Sequence, residues 1–222
     1  MSGRRLPPPL LALVGPWDRR ATPPAHELLA RCRAAVDAGL RGLLLRVPDW
    51  DDGGVLNLSR QLRVLLDEGA PGDGWLALHD RPHLLAAAGA DAVHLGFRSL
   101  PPRTVRPLVG EQVAIGFSSH AGDFPRAWAG ADYLFHGPPF STPSKLGLLE
   151  PTGSAACRAF AGSCSLPVWA LGGITPTNAG ELLPDLAGCA VLGGLIGSPT
   201  PARSTGEYLA ALAAAGLPAT GS

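Results

Sequence analysis

Short, almost wholly apolar runs recur along this chain. Longer stretches separate them, and in these the apolar residues return every three or four positions. The runs are LLALVG (10–15), GLLLRVP (42–48), WLALHD (75–80), AVHLG (92–96), VAIGFSS (113–119), YLFHGPPF (133–140), PVWALGGI (167–174) and AVLGGLI (190–196). Apolar runs without alternation are what strands buried on both faces require. The intervening stretches include HELLARCRAAVDAG (26–39), LNLSRQLRVLLDEG (56–69), RPHLLAAAGA (81–90) and NAGELLPDLAG (178–188). Their spacing is helical and most end in glycine, as helix C-termini tend to. A last helical pattern, TGEYLAALAAAG (205–216), closes the series. Eight such units predict an α/β fold, a single-domain (β/α)8 TIM barrel over 10–216 with a flexible leader (1–9) and a flexible tail (217–222). A doubly wound sheet is the competing architecture. It rarely needs eight evenly spaced units, and the segment after the first run, LVGPWDRR, has no GxGxxG loop.

Composition narrows the function. The chain has 222 residues, 46% of them hydrophobic, which is enough for one sizeable core. Its formal net charge is zero, so it lacks the basic footprint of a nucleic-acid binder and any polybasic attraction to a membrane surface. No apolar run approaches the ~20 residues of a spanning helix. Two arginines before LLALVG resemble a secretory signal, but three prolines intervene, the apolar part is short, and no small-x-small cleavage site follows. Cys32, Cys157, Cys164 and Cys189 form no CxxC pair and lie in apolar or helical settings. Buried free thiols are expected. The expectation is a cytoplasmic protein acting on a small molecule, without nucleic-acid or membrane partners; a homo-oligomer is left open.

In a barrel of this kind the chemistry gathers at strand C-termini and the loops after them. Gly172-Gly173 and Gly193-Gly194 end the seventh and eighth runs, where phosphate-binding barrels use backbone N–H groups and a helix N-terminus to hold an anion. Tight turns alone would also explain one Gly-Gly pair, but two pairs at one level favour a phosphate site. Thr175 and Asn178 stand where they could cap the next helix. Lys145 lies in FSTPSKLG, a polar loop suited to closing over a ligand, with Thr142 and Ser144 as neighbouring hydroxyls. Arg46 ends an otherwise apolar run and must reach solvent or an anion. His120, after two serines, is the candidate proton shuttle. Asp80 either binds substrate or caps the third helix, and His94 reads as a packing residue. No HxH or HxxxH spacing joins the histidines, so a zinc site is not expected.

VHLG, GFSSH, ADYLFHGPPFSTPSK and PVWALGGITPTNAGEL, in this order and spacing, resemble the thiamine phosphate synthase/TenI superfamily from about Arg46 to Gly197. The resemblance implies a phosphate-binding barrel of thiamine biosynthesis, whose glycines at 172–173 and 193–194 hold a thiazole phosphate. It implies one of two activities. A synthase joins a pyrimidine diphosphate to a thiazole phosphate with Mg²⁺ at the leaving diphosphate. A tautomerase aromatises a carboxythiazole phosphate by metal-independent proton transfer. The synthase pattern carries carboxylates after strands three and four. Here the first place reads His79-Asp80, and the second reads Gly96-Phe97-Arg98-Ser99, without a carboxylate. Strand two keeps Arg46 but has lost the family's glutamine and lysine, and Arg98 adds a positive charge nearby. These losses favour the tautomerase, with His120 as acid/base, Arg46 and Lys145 as carboxylate or lid contacts, no metal ligand and no cofactor. Mg²⁺ enters only if the divergent synthase reading holds. A silent barrel binding thiazole or thiamine phosphate is the third reading.

Overall fold

Each apolar run becomes a parallel strand: β1 (Leu10–Val14), β2 (Gly42–Leu45), β3 (Trp75–His79), β4 (Ala92–Leu95), β5 (Ala114–Ser119), β6 (Tyr133–His136), β7 (Val168–Leu171) and β8 (Gly188–Val191). They pair in chain order and close through β8 onto β1, forming a single barrel in the computed structural model, which describes residues 3–17, 22–142, 150–183 and 185–217. Outside it lie α1 (Ala25–Asp37), α2 (Asp52–Gly69), α3 (Leu85–Ala88), α4 (Pro102–Val109), α5 (Ser154–Ser163) and α6 (Pro201–Ala214). The predicted (β/α)8 architecture is the one observed.

The strand alternation explains why every strand reads as apolar. One row faces the helices and merges with Leu28, Leu58, Leu62 and Leu212 in the outer core. The other row points into the barrel, where Trp75, Tyr133, Phe135 and Trp169 face Ala77, Ala92, Ala114 and Ala190. Large rings packed with small side chains are how a barrel interior is filled. Tyr133 meets Trp75 and Trp169 edge-on, at centroid distances of 6.1 and 5.7 Å. Gly116 on β5 belongs to this arrangement, since a Cβ there would overlap the Tyr133 ring and His94 Nδ1.

The segment read as a flexible leader crosses the base of the barrel. A buried indole N–H needs an acceptor. Trp75 Nε1 donates to the Arg5 carbonyl at 3.0 Å, and Trp169 Nε1 donates to the Pro8 carbonyl at 2.9 Å. Arg4 pairs with Glu111 and Asp132, and Arg5 with Asp91. The leader also displaces the eighth strand from its expected position. Cys189 N–H bonds the Pro9 carbonyl, so β8 begins at Gly188 and Gly193-Gly194 fall beyond its end. The helix expected over 178–188 is reduced to a 3₁₀ turn, Ala179–Glu181, whose buried neighbours Leu182, Leu183 and Leu186 pack without helical continuity. All four cysteines are unpaired, with Cys32, Cys157 and Cys189 buried and Cys164 partly so.

Candidate active site

The inward rows that end at the barrel's C-terminal mouth carry its chemistry. On β2 the row runs Leu44, then Arg46; on β3 it runs Trp75, Ala77, His79; on β5 it runs Ala114, Gly116, Ser118, His120. Arg46 is partly buried, its N–H bonds the Val14 carbonyl, and among the described residues its guanidinium meets neither a hydrogen-bond acceptor nor an acid. The β2–β3 register pairs Leu45 with Leu78, which carries Arg46 alongside His79. His79 in turn pairs with His94.

Asp80 and Arg81, just past β3, both adopt left-handed backbone conformations, with φ of 57° and 53°. Aspartate tolerates this region and arginine rarely visits it, so surrounding contacts must hold the turn. Arg81 supplies them, bonding Asp52 Oδ1 at 2.9 Å and the Trp50 carbonyl at 2.6 Å. The turn aims Asp80 at the mouth instead of the following 3₁₀ turn, which it does not cap. Its Oδ1 accepts the Ser99 hydroxyl at 2.5 Å, and its Oδ2 lies 3.2 Å from His79 Nδ1. Ser99 Oγ accepts the Gly96 N–H at 2.8 Å. Burial works to raise the Asp80 pKa. Hydrogen bonds from His79 and Ser99 outweigh it and leave the group below its ordinary value. Asp80 is therefore an ionised carboxylate with both oxygens engaged.

His94 packs below this level, stacked on Phe135 at 4.0 Å, with Nε2 2.9 Å from Ser118 Oγ. It is a packing histidine, as the sequence suggested. Burial drives its pKa well below the ordinary 6.5, and His79 adds to this, so the ring is neutral. The sign of the pH dependence follows. A depressed folded-state pKa means that the unfolded chain takes up the proton first. Stability contributed by the neutral ring is complete above pH 6.5 and drains as pH falls below it. Denaturant titrations between pH 7.5 and 5 should lose about 1.4 kcal/mol per pH unit over part of that range. His94→Gln, which keeps a polar atom for Ser118, should flatten the slope; an unchanged slope would assign it to other groups.

His120 stands one residue past β5, partly buried. Its backbone N–H donates to Asp123 Oδ2 at 2.8 Å, its Nδ1 lies 3.8 Å from the same oxygen, and its ring meets exposed Phe97 edge-on. On the facing side, Gly172 (φ 123°) and Gly173 (φ 67°) follow β7. The loop after β6 lies directly on them. A Cβ on Gly173 would lie 2.6 Å from the Phe140 carbonyl oxygen, and one on Gly172 would lie 2.6 Å from Pro138 Cβ. These two glycines thus have a packing reason to be glycine. Asn178 closes the turn, accepting from Thr175 N–H at 2.8 Å and donating to the Gly173 carbonyl at 3.0 Å, instead of capping a helix. Gly194 is constrained by the Tyr208 hydroxyl, whereas a Cβ on Gly193 would meet nothing within 4 Å. Among the described residues no hydrogen bond is donated by the N–H groups of Gly173, Gly193 or Gly194. Thr142 reaches this corner, its methyl 3.7 Å from the Cβ direction of Gly172. Ser144 and Lys145 lie outside the described residues.

In a ring of eight strands β7 and β8 lie across the mouth from β3 and β4. The glycine amides therefore lie across the opening from His79 and Asp80, with Arg46 two strands round from β8. Sequence reasoning placed Arg46, Asp80 and His120 here but gave no role to His79 or Ser99. The only signal for their link was the HD…GFRS spacing, which reads as ordinary loop composition. Among the described residues, no three His, Cys, Asp or Glu side chains group closely enough to hold a metal ion.

The thiamine monophosphate synthase family model matches residues 14–195. The chain is 35% identical to the thiamine-phosphate synthase of Laribacter hongkongensis, with 82% of this chain and 86% of that protein covered. It is 34% identical to the thiamine-phosphate synthase of Salinispora arenicola, with 85% and 92% covered. The solved thiamine phosphate pyrophosphorylase from Pyrococcus furiosus superposes with a TM-score of 0.76 at 26% identity, covering 93% of this chain and 96% of that one. With its barrel and its sequence similar to theirs, this chain belongs to the thiamine monophosphate synthase/TenI family.

Proposed function

We propose that the chain is a thiamine-phosphate synthase-type transferase, joining a phosphorylated thiazole to a pyrimidine that carries a diphosphate. One observation carries this reading: two anion-receiving stations rim one mouth, glycine amides after β7 and β8 and, two strands round from β8, Arg46 after β2. Two phosphorylated substrates held there would bring their rings together over the centre, which is the proximity a two-substrate reaction needs. The thiazole nitrogen would form a C–N bond to the pyrimidine methylene while the C–O bond to diphosphate breaks, its electron pair leaving with the diphosphate. The names of the relatives support the transferase over the isomerase that the lost carboxylate suggested.

The family resemblance implies Mg²⁺ at the leaving diphosphate, and the side chains present do not fit a two-carboxylate metal site. Asp80 is the only acid of the pair, both its oxygens already accept hydrogen bonds, and Ser99 stands in the second place. That donor set favours the second reading, a tautomerase in which His120 moves a proton on a carboxythiazole phosphate. Incubating the protein with thiazole phosphate and pyrimidine diphosphate should yield thiamine phosphate. No product from this pair, together with aromatisation of the carboxythiazole, would replace the transferase by the tautomerase.

A further inference from the structure

We propose that Tyr133 is a positioning residue for the mouth: acting through His94, its buried hydroxyl makes Ser118 a hydrogen-bond donor to the bound substrate. The identity of that substrate rests on the transferase reading above; the hydrogen-bond directions do not. Tyr133 is fully buried, and its hydroxyl meets one polar group among the described residues, His94 Nδ1 at 3.4 Å. Gly116 on β5 makes room for this contact, since a Cβ there would overlap both Tyr133 Cζ and His94 Nδ1. Phe135, stacked on His94 at 4.0 Å, fixes the plane of the imidazole. The second ring nitrogen, Nε2, lies 2.9 Å from Ser118 Oγ.

Counting hydrogens sets the direction of both bonds. A phenol hydroxyl in the core carries one hydrogen and needs an acceptor for it. His94 Nδ1 is the acceptor in contact, so Tyr133 donates and Nδ1 carries no proton. The single N–H of the ring is then on Nε2 and donates to Ser118 Oγ. If Ser118 donated instead, the His94 hydrogen would sit on Nδ1 and the Tyr133 hydrogen would have no acceptor; a doubly protonated ring would strand it in the same way. Burial, which keeps the ring neutral, agrees with this count. Ser118 Oγ therefore accepts from His94 and keeps its own hydrogen. It is partly buried on the inward row of β5, two residues before His120, and among the described residues its hydroxyl meets no other group. That hydrogen suits an acceptor on the substrate, an anionic oxygen or a ring nitrogen without hydrogen. A tyrosine in the barrel core thus decides which way a hydroxyl at the mouth points.

Nitrogen-15 NMR of the full chain at pH 7.5 tests the directions. Wild-type His94 should show the Nε2–H tautomer, and Tyr133→Phe, which keeps the packed ring, should give a mixture of both tautomers. An Nδ1–H tautomer in wild type overturns the proposal, and that spectrum decides even if the variant does not fold. Calorimetry tests the donor, with thiazole phosphate, pyrimidine diphosphate, inorganic phosphate and inorganic diphosphate as ligands. Ser118→Ala should weaken at least one of them by about tenfold and Tyr133→Phe the same one by about threefold, with both variants folded at the assay temperature. Loss that extends to an inorganic anion identifies an anionic oxygen as the acceptor, and loss confined to a ring-bearing ligand identifies the ring nitrogen. Because Tyr133 acts through Ser118, the double variant should lose no more than Ser118→Ala alone. A loss of about thirtyfold, the product of the two, would make the effects independent and overturn the positioning role. If the binding losses appear but no thiamine phosphate forms, the transferase reading fails and the role of Tyr133 stands. If thiamine phosphate forms while Ser118→Ala binds every ligand within twofold of wild type, the proposal fails and the transferase reading stands.

Discussion

Alanine at Gly193 should cost tenfold or more in affinity for thiazole phosphate, with a melting temperature within about 2 °C of wild type. The prediction separates two reasons for being glycine that the opening Gly-Gly patterns confound. At Gly173 a side chain is excluded by the fold, through a φ of 67° and the Phe140 carbonyl. Gly173→Ala should therefore destabilise by roughly 2–5 kcal/mol, combining left-handed strain and overpacking. For a chain of this size that lowers the melting temperature by about 2–4 °C per kcal/mol. Lost binding in that variant says little about phosphate. Gly193 has no such constraint, since a Cβ there meets nothing within 4 Å. A methyl can matter at that position only by holding an anion off the backbone amides. Losing one charge-assisted hydrogen bond is worth about 1.5–3 kcal/mol, which is tenfold or more in affinity. Wild-type affinity in Gly193→Ala would remove the β8 amides from the cradle and leave the anion to Gly173 and the loop after β6.

The barrel was legible because each strand is buried on both faces, so eight apolar runs mark eight strands without needing their partners. Legibility failed where a contact made far along the chain set the boundary. β8 starts at Gly188 because the Pro9 carbonyl pairs with Cys189, and the stretch 178–188 is mostly not helical because Asn178 is used to close the Gly173 turn. The site divides in the same way. Arg46 was readable as a charge ending an apolar strand, and His120 as a histidine ending another. The Gly96–Ser99–Asp80–His79 chain was not, since it joins two loops and depends on the left-handed turn at Asp80 and Arg81. A sequence records that a carboxylate is missing after strand four. It does not record that the serine in its place bonds the carboxylate that remains. The cradle glycines gave a third outcome: three of the four are explained by packing, so their presence alone is weaker support for phosphate than the pattern suggested.

Arg46→Met should weaken binding of the anionic substrate by roughly ten- to a hundredfold, the value of a charge-assisted hydrogen bond to a guanidinium. The same change should leave the unliganded protein equally stable or slightly more so. These opposite signs come from one fact, that the Arg46 guanidinium, partly buried at the mouth, has no acid among the described residues to answer it. In the empty site its partial desolvation is uncompensated, and methionine fills comparable volume without that cost. In the occupied site the arginine gains a partner that methionine cannot replace. Salt adds a second reading, because wild-type affinity should fall as ionic strength rises from 0.05 to 0.5 M, on the scale set by a Debye length of about 10 Å at 0.1 M. The variant should show a shallower dependence. A structural arginine would behave otherwise: its loss would lower the melting temperature, with affinity falling only in proportion to the unfolded fraction. Arg46→Lys completes the comparison. It keeps the charge while removing the planar fork, so it should recover the salt dependence but only part of the affinity. Full recovery would mean that Arg46 acts as a point charge on the incoming anion, with no fixed bidentate contact.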